Sequence, residues 1–134
     1  SSSMDQREVL RLMDFRMVAK AIEEIGDEAK KAARATAQLI QLSEGVEERI
    51  YRLKNAVEGL DEIFKKIIRK GGLPPIDLVE LYNDMKICEE LRRELIEIKN
   101  SILGSSIREH ILFKIVDAYE NIAIRIYDVL SLMF

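Results

Sequence analysis

The chain has 134 residues, of which 48% are apolar and 34% charged, and its formal net charge is −3. A chain of this length is expected to form one domain with a substantial core. The acidic balance gives no electrostatic basis for binding DNA or RNA. Only six glycines and two prolines are present, which favours long helices over many short strands and their turns.

The cellular compartment is indicated by a lone cysteine and by the charge of the most apolar stretch. Cys88 has no second cysteine to pair with, which suggests a reducing compartment. No signal peptide is recognisable, and charged residues interrupt the stretch 111–134, which argues against a membrane span. We therefore expect a cytoplasmic protein without membrane insertion. Ser1–Ser3 precede Met4 and are expected to be added residues outside a single domain at 4–134.

Four segments with apolar residues at alternating steps of three and four predict four α-helices. These segments are 5–42, 46–70, 77–103 and 106–134. The first segment would form a helix about 57 Å long. A compact globule of this chain length is much narrower, so we expect an elongated, rod-shaped domain. Gly71 and Gly72 stop the second segment, and Asp77 is the expected N-cap of the third. Ser106 and Glu109 form a capping-box pattern at the start of the fourth.

The short connections between these helices predict an all-α fold, an elongated antiparallel four-helix bundle in which consecutive helices are neighbours. One shared core is expected. The residues assigned to it are Ile22, Ile25, Val57, Leu60, Met85, Cys88, Ile115 and Ile122.

The fourth segment differs from the others because it is apolar on almost every side. Such a helix is normally buried all round, and three other helices are not expected to cover it completely. A second subunit or a missing part of a parent protein would then cover the rest, so we expect a homo-oligomer. The predicted interface residues are Ile124, Leu132 and Phe134. The simpler alternative is a wide apolar stripe with scattered exposed residues.

The sequence offers no recognisable catalytic site, and we expect a protein that is not an enzyme. His110 is the only histidine, and no Ser-His or Cys-His pair can be argued around it. Cys88 lies on the apolar stripe of the third helix, where a small buried hydrophobe is the ordinary role. A di-metal enzyme on a four-helix bundle would use Glu-x-x-His pairs, which the sequence lacks.

An acidic pair in the first helix is the main candidate for binding chemistry. Glu23 and Asp27 are four residues apart, so they share one helix face and repel each other. Gly26 lies between them and costs roughly 1 kcal/mol relative to alanine. Oxygen ligands beside a glycine suit a hard metal ion. The alternative is that neighbouring basic residues such as Lys20 and Lys30 simply form surface ion pairs with these acids.

The stretch Glu23-Glu24-Ile25-Gly26-Asp27 resembles the Glu-Arg-Ile-Gly-Asp signature of the PhoU family of phosphate-uptake regulators. PhoU proteins are tandem repeats of three-helix units, with the signature in the third helix of each. The resemblance implies that the first helix ends one unit and that the other three helices form a second unit. Glu120 and Ile122 fit the second signature, whereas Ile124 replaces its metal-binding aspartate.

The resemblance also implies a function and a cofactor. Family members bind multinuclear iron or zinc on these motifs, so the implied ligands are Glu23, Asp27 and, more weakly, Glu120. The implied function is non-catalytic regulation of phosphate uptake or phosphate signalling, through contact with a phosphate-transporter subunit or a sensor kinase. Two helices of the usual six would be missing before Met4, as in a fragment or a short, diverged member.

The alternative function is a structural or dimerisation bundle without a ligand. Some archaeal relatives join this domain to a DNA-binding domain of the AbrB type. The chain would then be the C-terminal part of a transcription regulator, with no direct nucleic-acid contact of its own.

Overall fold

The computed structural model describes residues 5–42, 48–70, 77–104 and 106–133, apart from the side chain of Leu10. Ser1–Ser3 and the predicted stop at Gly71 and Gly72 lie outside these residues. The described part contains four helices and no strand, which confirms the all-α prediction. Each helix lies within the segment predicted for it. The helices are α1 (Gln6–Leu42), α2 (Glu48–Arg69), α3 (Leu78–Asn100) and α4 (Ile107–Leu132).

The predicted caps of α3 and α4 are confirmed. The Asp77 carboxylate accepts hydrogen bonds from the backbone N–H groups of Val79 at 2.9 Å and Glu80 at 3.3 Å. The Ser106 hydroxyl accepts one from the N–H of Glu109 at 3.1 Å. The side chains of Glu80 and Glu109 form ion pairs with basic residues of α2. Both helix starts are therefore fixed by a cap and linked to α2.

The central element is α4, which packs against each of the other three helices. The helices α2 and α3 also pack against each other, so α2, α3 and α4 form a three-helix unit. Within the described residues, α1 packs closely against α4 alone. Met17 lies beside Leu132 at one end of α1 and Gln38 beside Lys114 at the other. The helices α1 and α4 are therefore antiparallel.

This arrangement corrects one part of the predicted bundle, namely that α1 and α2 would be packed neighbours. Across the described residues they do not approach closely, despite being consecutive. The reason is that α4 offers α1 an apolar face of its own. Small buried residues on α1, Ala21, Ala32 and Ala35, let the two helices come close together, because interaxial distance depends on the side chains between them.

One core connects all four helices, as predicted. Ile25, Leu60, Cys88, Ile115 and Ile122 are buried in it. Ile22, Val57 and Met85 are partly buried and pack against it. Since α1, α2 and α3 cover three sides of α4, much of the burial that the sequence assigned to a second subunit is supplied within the chain.

Ion pairs cross every interface of the three-helix unit. Arg49 of α2 donates two hydrogen bonds to Glu109 of α4, at 2.6 and 2.9 Å. The other pairs are Arg52–Glu94, Arg52–Glu97, Lys66–Glu80 and Lys66–Asp84 between α2 and α3, and Lys99–Asp117 and Lys99–Glu120 between α3 and α4. Among the described residues, α1 has one such link to α4, between Glu24 and Arg125 at 2.8 Å.

Candidate protein-interaction surfaces

The predicted acidic pair lies on the solvent side of α1. Glu23 and Asp27 are exposed, and no described residue forms an ion pair with either. The neighbouring acids are paired instead: Glu24 with Arg125 of α4, and Glu28 with Lys31 of its own helix. The ion pair with a lysine that was expected for Glu23 and Asp27 is therefore formed by Glu28 instead.

The third predicted metal ligand, Glu120, has a different partner. Its carboxylate lies 2.6 Å from the ammonium group of Lys99 in α3. Among the described residues, no three His, Cys, Asp or Glu side chains are arranged to hold a metal ion. Glu23, Asp27 and Glu120 are thus not brought into one cluster, and binding of iron or zinc stays a prediction.

The predicted interface residues of α4 lie partly within the chain's own packing. Ile124 and Leu132 are half-buried. Leu132 packs against the core and lies beside Met17 and Ala21 of α1. Phe134 is outside the described residues. Self-association through these residues stays a prediction, although the need for a covering subunit is reduced.

Cys88 has the buried position predicted for it. It is 0% exposed, and its thiol donates a hydrogen bond to the backbone carbonyl of Ala123 at 3.3 Å. Burial, the largest cause, raises the pKa of the Cys88 thiol to about 12. The thiolate needed for nucleophilic attack or metal binding is therefore scarce at neutral pH.

A groove runs between α1 and α2, with α4 as its floor, where a closed bundle would have packed the two helices together. Its volume is about 310 Å³. We call it the α1/α2 groove. It is lined by Ile25 and Ala29 of α1, by Val57, Glu58, Leu60, Asp61 and Phe64 of α2, and by Tyr119, Ile122 and Ile126 of α4. Most of these side chains are apolar, so the groove is a candidate binding surface.

Two features of the α1/α2 groove affect what it can bind: small residues on α1 and a tyrosine hydroxyl in the floor. On α1, the lining residue Ala29 is small and exposed. Its exposed neighbours at helical spacing, Gly26 and Ala33, are also small, and a Cβ added at Gly26 would meet nothing within 4 Å. In the floor, burial raises the pKa of the Tyr119 hydroxyl, and the nearby Asp61 carboxylate raises it further. Tyr119 is therefore neutral at physiological pH and has a proton to donate.

A second candidate surface is the beginning of α1, residues 5–17, which we call the N-terminal arm. Every described side chain in it is exposed. Because Met17 already lies beside Leu132 near the end of the antiparallel α4, the residues before it extend beyond α4. Large apolar side chains are exposed here nevertheless. They are Val9, Leu12, Met13, Phe15 and Met17.

The sequence analysis missed the N-terminal arm, although a signal was present. The α4-facing positions of α1 include Val18, Ala21 and Ile25. Extending this register backwards by four, three and four residues gives charged positions, Asp14, Arg11 and Arg7. The change from apolar to charged marks the residue at which α1 leaves α4.

No protein-family profile, curated protein or solved structure matches the chain. None of the helices in the described residues combines the length and hydropathy needed to cross a bilayer. The fold and its surfaces define an all-α bundle in which a fourth helix lies along a three-helix unit.

Proposed function

We propose that the chain is a non-catalytic regulatory module that binds an amphipathic helix of a partner protein in the α1/α2 groove. The observation that carries this proposal is the separation of α1 from α2, which leaves an apolar groove over α4. An amphipathic helix that fills such a groove removes apolar surface from water on both partners.

The shape of the groove favours a helix as its occupant. Gly26, Ala29 and Ala33 are spaced by three and four residues, so they form one small-residue face along α1. A partner helix can approach this face closely, since helix separation is set by the side chains at the contact. Its large apolar residues would then lie against Val57 and Phe64 on the opposite wall.

The charges around the groove favour a partner helix with basic flanks. Glu58 and Asp61 lie on its α2 side, and among the described residues the ion-pair partner of each is an exposed lysine of the same helix, Lys54 and Lys65. Exposed pairs of this kind contribute little stability, so a basic residue of the partner can replace the lysine. Complementary charge would then select and orient the partner helix.

The resemblance to PhoU supports the same kind of action, since that family regulates through protein contact. It makes a cytoplasmic phosphate-transporter subunit or a sensor kinase the first partners to test. Iron or zinc at Glu23 and Asp27 belongs to the same proposal. Elemental analysis of dialysed protein, beside a Glu23→Gln, Asp27→Asn variant, tests it separately from the groove.

The experiment is direct binding by isothermal titration calorimetry. The ligands are the ATPase subunit of the phosphate transporter and the cytoplasmic part of the phosphate sensor kinase from the same genome. Ala29→Arg places a long charged side chain in the groove without removing a core residue, and we expect at least about tenfold weaker binding. That loss corresponds to roughly 1.4 kcal/mol.

The matched control is Gln38→Arg, which adds an arginine at an exposed position on another side of α1 that does not line the groove. We expect it to bind like the wild type, and both variants should keep the wild-type circular dichroism. Equal weakening by both variants would place the contact elsewhere. Failure of both ligands to bind the wild type would reject these partners.

The alternative function, a dimerisation bundle, draws its own support from the apolar side chains of the N-terminal arm.

A further inference from the structure

We infer that the N-terminal arm pairs with the same segment of a second copy of the chain, in antiparallel orientation. This inference does not depend on the α1/α2 groove or on a partner protein. It rests on the exposure of the arm, the position of its apolar stripe and the order of its charges.

The arm carries an apolar stripe that nothing in the described residues covers. Val9, Met13 and Met17 are four residues apart, and they are 41%, 54% and 53% exposed. Residues at this spacing lie above one another on a single helix face. An uncovered stripe of large apolar side chains is a feature of interaction surfaces.

The stripe faces a different direction from the α4-contacting side of α1. If the spacing of the α1 residues that contact α4 is continued into the arm, it falls on Asp14 and Arg7. The apolar stripe instead includes Met13 and Val9. Even a longer α4 would therefore meet charges rather than the stripe. At the C-terminal end of the stripe, Met17 lines one pocket together with Leu132 of α4.

The order of charges in the arm is self-complementary. From Asp5 to Arg16 the signs alternate strictly between negative and positive. The residues are Asp5, Arg7, Glu8, Arg11, Asp14 and Arg16. In an antiparallel pair the order of charges in one arm is reversed relative to the other. Each acidic residue then lies opposite a basic residue, so the two arms attract each other. A parallel pair would place each residue beside its own copy and would be repulsive at each charged position.

Asp5 and Arg16 are the best-placed pair. They are eleven residues apart, about three helical turns, so they lie on one side of the helix, where Asp5 is four residues from Val9 and Arg16 is three residues from Met13. In an antiparallel pair Asp5 of each copy therefore lies opposite Arg16 of the other, which gives two ion pairs. The arm contains three acidic and three basic residues, so it has no net charge with which to attract an anionic membrane surface.

The first test is charge reversal, measured by sedimentation equilibrium at low ionic strength. We expect Asp5→Arg and Arg16→Glu each to raise the dimer dissociation constant by about tenfold, since each replaces two attractive pairs with two repulsive ones. The double variant Asp5→Arg, Arg16→Glu restores both pairs in swapped order and should bind more tightly than either single variant. Both side chains are exposed, and Asp5 also accepts a hydrogen bond from the N–H of Glu8, so circular dichroism of all three variants checks that α1 is retained.

The second test measures orientation by disulfide formation. Antiparallel arms bring Gln6 of one copy near Met17 of the other, within the Cα separation that a disulfide requires. Mixing a Gln6→Cys variant with a Met17→Cys variant under mild oxidation should give mainly the mixed disulfide. The native Cys88 does not interfere, because it is buried and its thiol pKa is about 12.

Several outcomes would overturn the inference. These are a wild-type monomer at millimolar concentration, a double variant no better than the single ones, and homodisulfides that exceed the mixed species. Binding of the arm to vesicles of anionic phospholipid without any dimer would instead identify it as a membrane contact.

Discussion

The three-helix unit and α1 are attached to the same helix, α4, but in different ways. Within the three-helix unit, ion pairs join α2 to α3, α3 to α4 and α2 to α4. By contrast, α1 lies on α4 through buried apolar residues, several of them alanines, and a single described ion pair. Polar contacts fix how the helices of the unit are aligned, whereas α1 is held mainly by apolar packing. Each helix of the unit packs against at least two others, but among the described residues α1 packs closely against α4 alone, so α1 should be the helix that separates first.

The largest effect is expected from a charge in the contact between α1 and α4. Ala32 is 0% exposed, and Ala32→Asp would bury an unpaired carboxylate where no space exists. We expect the free energy of unfolding to fall by about 3 kcal/mol, measured by urea unfolding followed by circular dichroism. The neighbouring Ala33 is exposed, and Ala33→Asp should cost less than about 1 kcal/mol. Similar losses for both variants would show that α1 is not docked as described.

An intermediate effect is expected from an ion pair of the three-helix unit. Lys66 lies 3.1 Å from Asp84, a carboxylate that is only 5% exposed. Lys66→Met would leave that carboxylate buried without this partner. We expect a loss of roughly 1.5 kcal/mol, which is less than for a fully buried pair because Lys66 itself is half-exposed.

The matching change in α1 is Glu24→Gln, which removes its pair with Arg125. Both partners are half-exposed to water, so we expect a loss below about 0.5 kcal/mol in the same urea assay. A larger loss from Glu24→Gln than from Lys66→Met would contradict the contrast between the two regions.

The smallest effect, and one of opposite sign, is expected from Gly26. A Cβ there would meet nothing within 4 Å, so Gly26→Ala should stabilise the protein by up to about 1 kcal/mol through helix propensity. Gly59 of α2 is the comparison, because its Cβ would lie 2.8 Å from a methyl carbon of Leu91 in α3. We expect Gly59→Ala to gain less or to destabilise, as measured by thermal unfolding. A Gly59→Ala variant that gains as much stability as Gly26→Ala would show that Leu91 moves aside more readily than expected.

The parts of this fold that could be predicted from sequence depend on local signals. Asp77 and Ser106 cap helices through bonds to residues two or three positions away, so helix starts could be located. The all-round apolar character of α4 correctly indicated a helix covered on several sides. In contrast, the separation of α1 from α2 depends on which helix faces pair, and no local pattern encodes that choice.

The candidate surfaces were harder to predict for the same reason. Glu120 looked available in sequence, but its ion pair with Lys99 joins residues 21 positions apart on different helices. The α1/α2 groove depends on three helices at once. The N-terminal arm could have been found, because the switch to charge at Asp14 and Arg11 is visible in the sequence. It was missed because the apolar residues before Val18 were not assigned to the core or to any surface.

The attachment of α1 to α4 alone has a consequence for how the protein opens. A helix with one packing partner can separate without unfolding the other three, so its amide hydrogens should exchange through a sub-global opening. The amides of α3 and α4 would exchange only with global unfolding. A partner helix in the α1/α2 groove would contact both α1 and α2, and would therefore slow exchange in α1 selectively.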